Sequence, residues 1–317
     1  MAIFRLELAA MASLILRFIM NTRLLNDQAL VDEIQHSKPL HQSIVDEYYR
    51  RCIPLYLDFI GIHWHTGFYL DDGQPASPND QTRMIRVTTD SINLSAQDHV
   101  LDVGCGIGST ACFLAQEYGC TVTGLTPVED QLNIAQTFIE RAKLVEKVHV
   151  DLGHASALPY PDNHFDALTF FESPCHFPDR KQFFNEAFRV LEPGGRIAGE
   201  DWLLTPASTS QQQRQPLSQA ICQQWAIPSL DTGQAYQSFM ENAGFIQAEY
   251  SDMRTEMYIQ KGFSVTLAQQ AELQADINSC ENPLLKLTLQ GLLTLGKAID
   301  ANVFTIGRFT ALKPKND

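Results

Sequence analysis

Asp102-Val103-Gly104-Cys105-Gly106-Ile107-Gly108 packs one carboxylate, three glycines and a thiol into seven residues. Glycines bring backbone close to a ligand, and a helix opening straight after the loop offers free N–H groups to an anion. Such a loop alone also serves dinucleotides. Two details separate the options. The last glycine of a dinucleotide fingerprint is replaced by Ser109, and Asp102 would repel a pyrophosphate but suit a ligand carrying an ammonium group. A second cluster, Glu172-Ser173-Pro174-Cys175-His176, sets a carboxylate and an imidazole near each other, either able to hold a cation or move a proton. His63 and His65 would share one face of an extended chain, but no further ligand can be nominated and no metal is assigned.

These groups need elements to hold them. From about His99, short apolar runs alternate with helical segments. His99 to Val103 reads as a buried strand ending in the glycine loop, residues 109 to 118 as a helix stopped at Gly119, and Thr121 to Leu125 as a second strand. Thr126, Pro127 and Glu129 have the spacing of N-cap, N1 and N3 of a capping box. Lys147 to Leu152 and Phe165 to Phe171 read as strands, and Arg180 to Leu191 as a helix. A Pro193-Gly194-Gly195 turn and a strand from Arg196 to Gly199 follow. Gln211 to Gln213 reads as a loop. A helix at Ala235 to Asn242 stops at Gly244, before a strand at Phe245 to Tyr250; Val303 to Leu312 is a closing strand. Residues 261 to 299 are helical, with Asn282-Pro283 as a start, and too long for a simple connection. Alternation of this kind builds parallel βαβ units with helices on both faces, and ligands sit at the carboxyl ends of the strands.

The 317 residues are 44% hydrophobic and 19% charged, which excludes an intrinsically disordered chain. Twenty-three basic against 37 acidic residues give −14, a poor match to phosphate backbones or anionic lipid, so no nucleic-acid partner is expected. The seven scattered cysteines show no Cys-x-x-Cys spacing and read as small hydrophobes in a reducing cytoplasm. The apolar run Leu8 to Leu16 is too short to span a bilayer. It reads as an amphipathic helix or as sequence upstream of a start at Met20, so no stable membrane insertion is expected.

The run Val100 to Gly108, with Phe165-Asp166 and Arg189-Val190-Leu191-Glu192-Pro193-Gly194-Gly195, resembles the class I S-adenosylmethionine-dependent methyltransferases. His65-x-Gly67-x-Tyr69, the Glu172 to His176 stretch, and Gln224-Trp225-x-x-Pro228 with Tyr236 and Ala243-Gly244-Phe245 are similar to the group holding tocopherol, sarcosine/dimethylglycine and natural-product methyltransferases. The resemblance implies an α/β fold: a Rossmann-like, doubly wound, mostly parallel seven-stranded sheet with a helical lid in the C-terminal half. Expected divisions are an N-terminal segment at 1–80, the cofactor-binding core at 81–250, the lid at 251–301, and a closing strand and tail at 302–317.

The resemblance also assigns roles. S-adenosylmethionine is expected on Gly104, Cys105, Gly106 and Gly108, with its ammonium at Asp102 and its ribose at Gln131 beside Thr126. Relatives carry Gly-Asp-Ala where this chain has Gly153-His154-Ala155, so adenine recognition falls to the His154 imidazole or the Ala155 N–H. Tyr49 aligns with a tyrosine that closes over the cofactor. Glu172 and His176 flank the departing methyl group. Phe171, Phe177, Trp202 and Trp225 are candidate pocket walls, and Phe239, Phe263 and residues 284 to 295 make the lid apolar. The expected substrate is a small apolar metabolite. An amino-acid or amine acceptor would instead need an arginine from among Arg50, Arg51 and Arg254. An isoprenyl diphosphate would need paired basic residues and magnesium, and a non-catalytic scaffold would need only the cofactor cleft. The sequence leaves a homodimer open.

Overall fold

A computed structural model describes residues 27–206, 211–263 and 267–315; the Leu8 to Leu16 run and Met20 lie outside the described residues. Seven strands form one sheet: β1 (His99–Val103), β2 (Thr121–Thr126), β3 (Val148–Leu152), β4 (Phe165–Phe171), β5 (Leu191–Leu204), β6 (Ile246–Asp252) and β7 (Phe304–Leu312). Their order is β3-β2-β1-β4-β5-β7-β6, with β7 antiparallel to both neighbours and the remaining pairs parallel. The chain winds outward from β1 to β3, then returns to β4 on the other side of β1. The switch point thus falls between β1 and β4, where Asp102 and Glu172 stand at or just past the strand ends.

β1, β2 and β4 are buried along almost their whole length because helices cover both faces of the sheet there, whereas β3 at the edge is partly exposed. α4 (Ser109–Tyr118) and α5 (Glu129–Ala142) follow β1 and β2; α6 (Arg180–Val190) and α8 (Gly233–Ala243) cover the region around β4 to β6. A further helical layer combines α1 (Asp27–His36), α2 (Gln42–Phe59), α7 (Gln211–Gln224) and α11 (Pro283–Asp300), with α3 (Pro78–Thr89) against β5. Two shorter helices, α9 (Gln260–Phe263) and α10 (Leu267–Ser279), precede α11. Tyr48, Trp202, Trp225 and Leu287 join in one apolar cluster beneath that layer. Among the described residues no helix is long and apolar enough to cross a membrane.

Most local expectations hold to within two residues, including the Gly119 and Gly244 stops and the Asn282 cap, whose side chain accepts from Leu285 N at 2.9 Å. Three do not. Thr126 is not an N-cap. It remains the last paired residue of β2, opposite Leu152, and the helix starts at Glu129 with Val128 as N-cap. Gln211 to Gln213 open α7 rather than forming a loop, as glutamine's good helix propensity permits. The strand expected at Arg196 to Gly199 is the middle of β5, which absorbs the Pro-Gly-Gly turn as an irregularity between Phe165 and Ala167 of its partner and runs on through Trp202.

Candidate active site

The loop after β1 is shaped by close approach. Gly104 has φ +78, and a Cβ there would lie 2.8 Å from Ser173 Oγ, so only glycine lets this loop pass the chain leaving β4. The N–H groups of Gly104 and Cys105 donate to Leu125 O at 2.9 and 3.0 Å, tying the loop to β2. They are therefore spent on the fold rather than offered to an anion. Gly106 lines the cleft, and α4 begins at Ser109. Gly108 does not line it: its own Cβ would sit 3.0 Å from Ala135 Cβ, which makes it the contact point between α4 and α5.

A cleft of about 760 Å³ opens over this loop. It gathers Tyr49, Asp102, Gly104, Cys105, Gly106, Thr126, Gln131, Glu172 and His176, nine of the expected site residues. His154 and Ala155 line a smaller annex of about 380 Å³, which shares Gln42, Gly104, Pro127 and Phe177 with the main cleft. His154 is half exposed, its Nε2 3.9 Å from Asp46 Oδ2 on α2. Thr126 Oγ1 donates to Gln131 Oε1 at 2.6 Å, leaving the amide nitrogen of Gln131 to donate to a ligand.

Asp102 is buried. Its Oδ1 accepts from Thr169 Oγ1 at 3.1 Å, whereas Oδ2 has no partner among the described residues. Burial pushes its carboxyl up to about 7, against the Thr169 hydrogen bond, which lowers it. An orphaned carboxylate oxygen bordering a cleft is a costly arrangement that a ligand ammonium would relieve.

Glu172 follows β4 in the left-handed region, φ +45, a strained conformation for a non-glycine residue. Its N–H donates to Glu200 O at 2.9 Å and its Oε1 accepts from Thr66 N at 2.7 Å; burial raises its carboxyl to about 7. His176, on a short turn from Pro174, has Nδ1 3.4 Å from Ala226 O and Nε2 2.6 Å from Tyr49 Oη. A carbonyl only accepts, so Nδ1 carries the proton and Tyr49 donates to Nε2. Burial holds this imidazole down at about 4 and pushes the Tyr49 phenol well above its ordinary value.

The sequence motifs single out Tyr49 and His65 but not the rest of the wall supplied by α2 and the segment after it. Gln42, Val45, Asp46 and Tyr49 line the cleft from one face of α2, at spacings of three and four that mark a helix face. Trp64 and His65 line it as well. His63 and His65 lie 5.7 Å apart by ring centroids, both buried and held neutral by burial, at about 3 and 4. The described residues contain no group of three side chains able to hold a metal.

Tyr49, Trp64, His65, Glu172 and His176 also border a second cavity, of about 1220 Å³. Tyr56, Tyr69, Trp202, Trp225 and Phe263 line it, with Leu292 and Leu295 from α11. Phe171 and Phe177 wall the first cleft instead, and Phe239 neither: it packs on Phe184 and Tyr236 between α6 and α8. Among the described residues no lysine or arginine lines the second cavity. The arginines an acidic acceptor would need are committed elsewhere, Arg50 and Arg51 to Glu47, and Arg254 to Asp252 and Asn302.

An unpartnered buried carboxylate lies at the switch point of an open sheet, in a cleft that shares a wall with an aromatic second cavity, a geometry suited to small-molecule chemistry. The family comparison agrees: residues 101–199 match the model of a methyltransferase domain. Methyltransferase GfsG from Streptomyces halstedii is 32% identical over 66% of this chain and 75% of its own length. A probable chloroplastic tocopherol O-methyltransferase from Oryza sativa subsp. japonica is 34% identical over 53% of this chain and 50% of its own. The solved structure of the [4+2]-cyclase SpnF shares the fold, with a TM-score of 0.71 at 22% identity, covering 87% of this chain and 97% of that one. This chain belongs to the class I S-adenosylmethionine-dependent methyltransferases. It is an enzyme of their small-molecule type, and S-adenosylmethionine is its cofactor.

Proposed function

We propose that this enzyme methylates a hydroxyl oxygen of an uncharged, apolar small molecule of the natural-product kind. The observation that carries the reading is the shared wall: the cleft over the glycine loop and an aromatic chamber with no lysine or arginine among its described lining residues meet at Tyr49, Glu172 and His176. The cleft suits S-adenosylmethionine. Asp102 would take the ammonium, Gln131 the ribose hydroxyls, and the annex at His154 and Ala155 the adenine. The bound cofactor supplies a methyl group on a sulfonium, already activated for in-line displacement.

The chain's own residues do the rest. Aromatic side chains position the acceptor and exclude water from it. As the new C–O bond forms and the methyl–sulfur bond breaks, its electron pair leaving on sulfur, the acceptor hydroxyl becomes strongly acidic, so a weak base suffices. Tyr49 Oη takes that proton while its own proton passes to His176 Nε2 along the 2.6 Å hydrogen bond. Glu172, anchored by Thr66 N, keeps a carboxylate near the transferring charge. The O-methylation named for the rice relative supports this choice of acceptor.

The test is incubation with S-adenosylmethionine labelled in its methyl group and an apolar extract of the source organism, followed by mass spectrometry and NMR. The expected label sits on a methoxy carbon of a neutral product. Label found only on nitrogen or carbon, or only on carboxylated or phosphorylated products, would overturn the reading.

A further inference from the structure

We infer that Tyr69 is the size gauge of the acceptor chamber: its ring is parked in a slot between Gly67 and Gly262, and those two glycines are specificity-determining because they leave that slot free. This rests on the reading of the second cavity as the acceptor site.

A Cβ on Gly262 would collide with Cε2 and Cζ of Tyr69 and lie 2.5 Å from its hydroxyl. A Cβ on Gly67 would lie 2.9 Å from Cε1, on the opposite edge of the same ring. The ring is thus closed in on both edges, and Asp80 Cβ, 2.8 Å from that Gly67 position, backs the slot. Neither glycine has a positive φ, so the backbone does not require it; the ring does. The surrounding chain cannot withdraw easily. Tyr258 N donates to Tyr69 O at 2.9 Å, and Lys261 Nζ reaches Asp72 at 2.8 Å and Leu70 O at 3.2 Å. A methyl group added at Gly262 therefore pushes the Tyr69 ring away from α9, and the chamber it lines is open space beside it.

A second wall repeats the device. Gly291 lies within the 18-residue α11, where glycine weakens a helix, and a Cβ there would sit 2.5 Å from Nε1 of Trp225, another lining residue. Trp225 is backed by Trp202 at 5.2 Å between ring centroids, so it too has little room behind it. The spacing His65-x-Gly67-x-Tyr69 acquires a physical meaning: His65 walls both cavities, Gly67 opens the slot, and Tyr69 fills it.

The experiment titrates Nile red, an uncharged polycyclic dye, by fluorescence against the full chain, its Gly262→Ala variant and the Gly262→Ala/Tyr69→Ala double variant. S-adenosylhomocysteine is titrated in parallel by calorimetry. Gly262→Ala is expected to weaken dye binding at least about tenfold, the scale of one overpacked methyl group. S-adenosylhomocysteine should bind within about twofold of wild type, since Gly262 and Tyr69 do not line the cofactor cleft. The double variant should regain the dye. Unchanged dye binding in Gly262→Ala, no recovery in the double variant, or joint loss of both ligands would overturn the inference. A wild-type protein that binds S-adenosylhomocysteine but no dye would instead overturn the acceptor-chamber reading beneath it.

Discussion

Replacing Asp102 by asparagine separates what the carboxylate does for folding from what it does for binding. Asp102 is buried, and its folded-state value of about 7 lies above the ordinary 3.8. For an acid raised in this way, the folded state binds the proton more tightly, so stability falls as pH rises from about 3.8 to about 7 and the penalty is complete above that. At 1.36 kcal/mol for each tenfold step, the cost is about 4 kcal/mol at pH 8 and under about 2 kcal/mol at pH 5. Asparagine keeps an oxygen to accept from Thr169 and removes the charge. The ligand-free variant should therefore melt several degrees higher than wild type at pH 8, with a smaller gain at pH 5. Binding should move the other way. Loss of a charge-assisted contact of about 1.5–3 kcal/mol predicts S-adenosylhomocysteine affinity lower by roughly ten- to a hundredfold at pH 8. In wild type only the ionised site is competent, so affinity at pH 6 should be about tenfold below its value at pH 8. In the variant that slope should vanish. Scanning calorimetry and titration calorimetry across this range read both effects. A variant that binds as tightly as wild type, or that is less stable at pH 8, refutes the reasoning.

His176→Ala and Tyr49→Phe should each lower turnover by about 10²–10⁴-fold, with S-adenosylhomocysteine affinity changing far less, measured by methyl incorporation and calorimetry. Glu172, raised to about 7 by burial, should give kcat at saturating cofactor a rise through about pH 7 as it ionises; Glu172→Gln should flatten that limb in a pH–rate profile. Phe239→Leu should cost about 1 kcal/mol in a denaturant melt and leave acceptor preference unchanged, since Phe239 packs only between α6 and α8.

The donor half of this molecule was legible because its chemistry is local in sequence. Strand, glycine loop and helix follow one another from His99 to Tyr118, so Asp102 could be placed at a strand end from the order of residues alone. The second cavity was legible only in part: Trp202, Trp225, Phe263 and, from the 284 to 295 stretch, Leu292 and Leu295, expected as wall and lid from the resemblance, do line it, but the long-range pairings at its junction with the cleft were not legible. Tyr49 meets His176 across 127 positions, and Thr66 meets Glu172 across 106. No periodicity reports a pairing of that range. The Thr126 cap failed for a related reason: sheet pairing with Leu152 outweighed a local capping pattern. Phe239 failed because an apolar side chain on a C-terminal helix says how much it will bury but not against which face.

The groups at the junction of the two cavities also share an electrostatic logic. His65 and His176 are both held down at about 4 by burial, while Glu172 is free to ionise near 7. At neutral pH the wall therefore offers no imidazolium and at most a carboxylate, which would suit a sulfonium bound beside it. A protonated imidazole there would oppose a cationic donor in a medium where charges are poorly screened. The same burial that weakens His176 as a solution base would thus admit a cationic donor, and in the proposed mechanism it confines proton transfer to the moment when the attacking hydroxyl has become acidic. Of the five residues on this wall, Glu172 and His176 follow β4 of the parallel core, whereas Tyr49, Trp64 and His65 come from outside it. An open α/β core that fixes the donor can in this way serve different acceptors by changing only the elements laid over it.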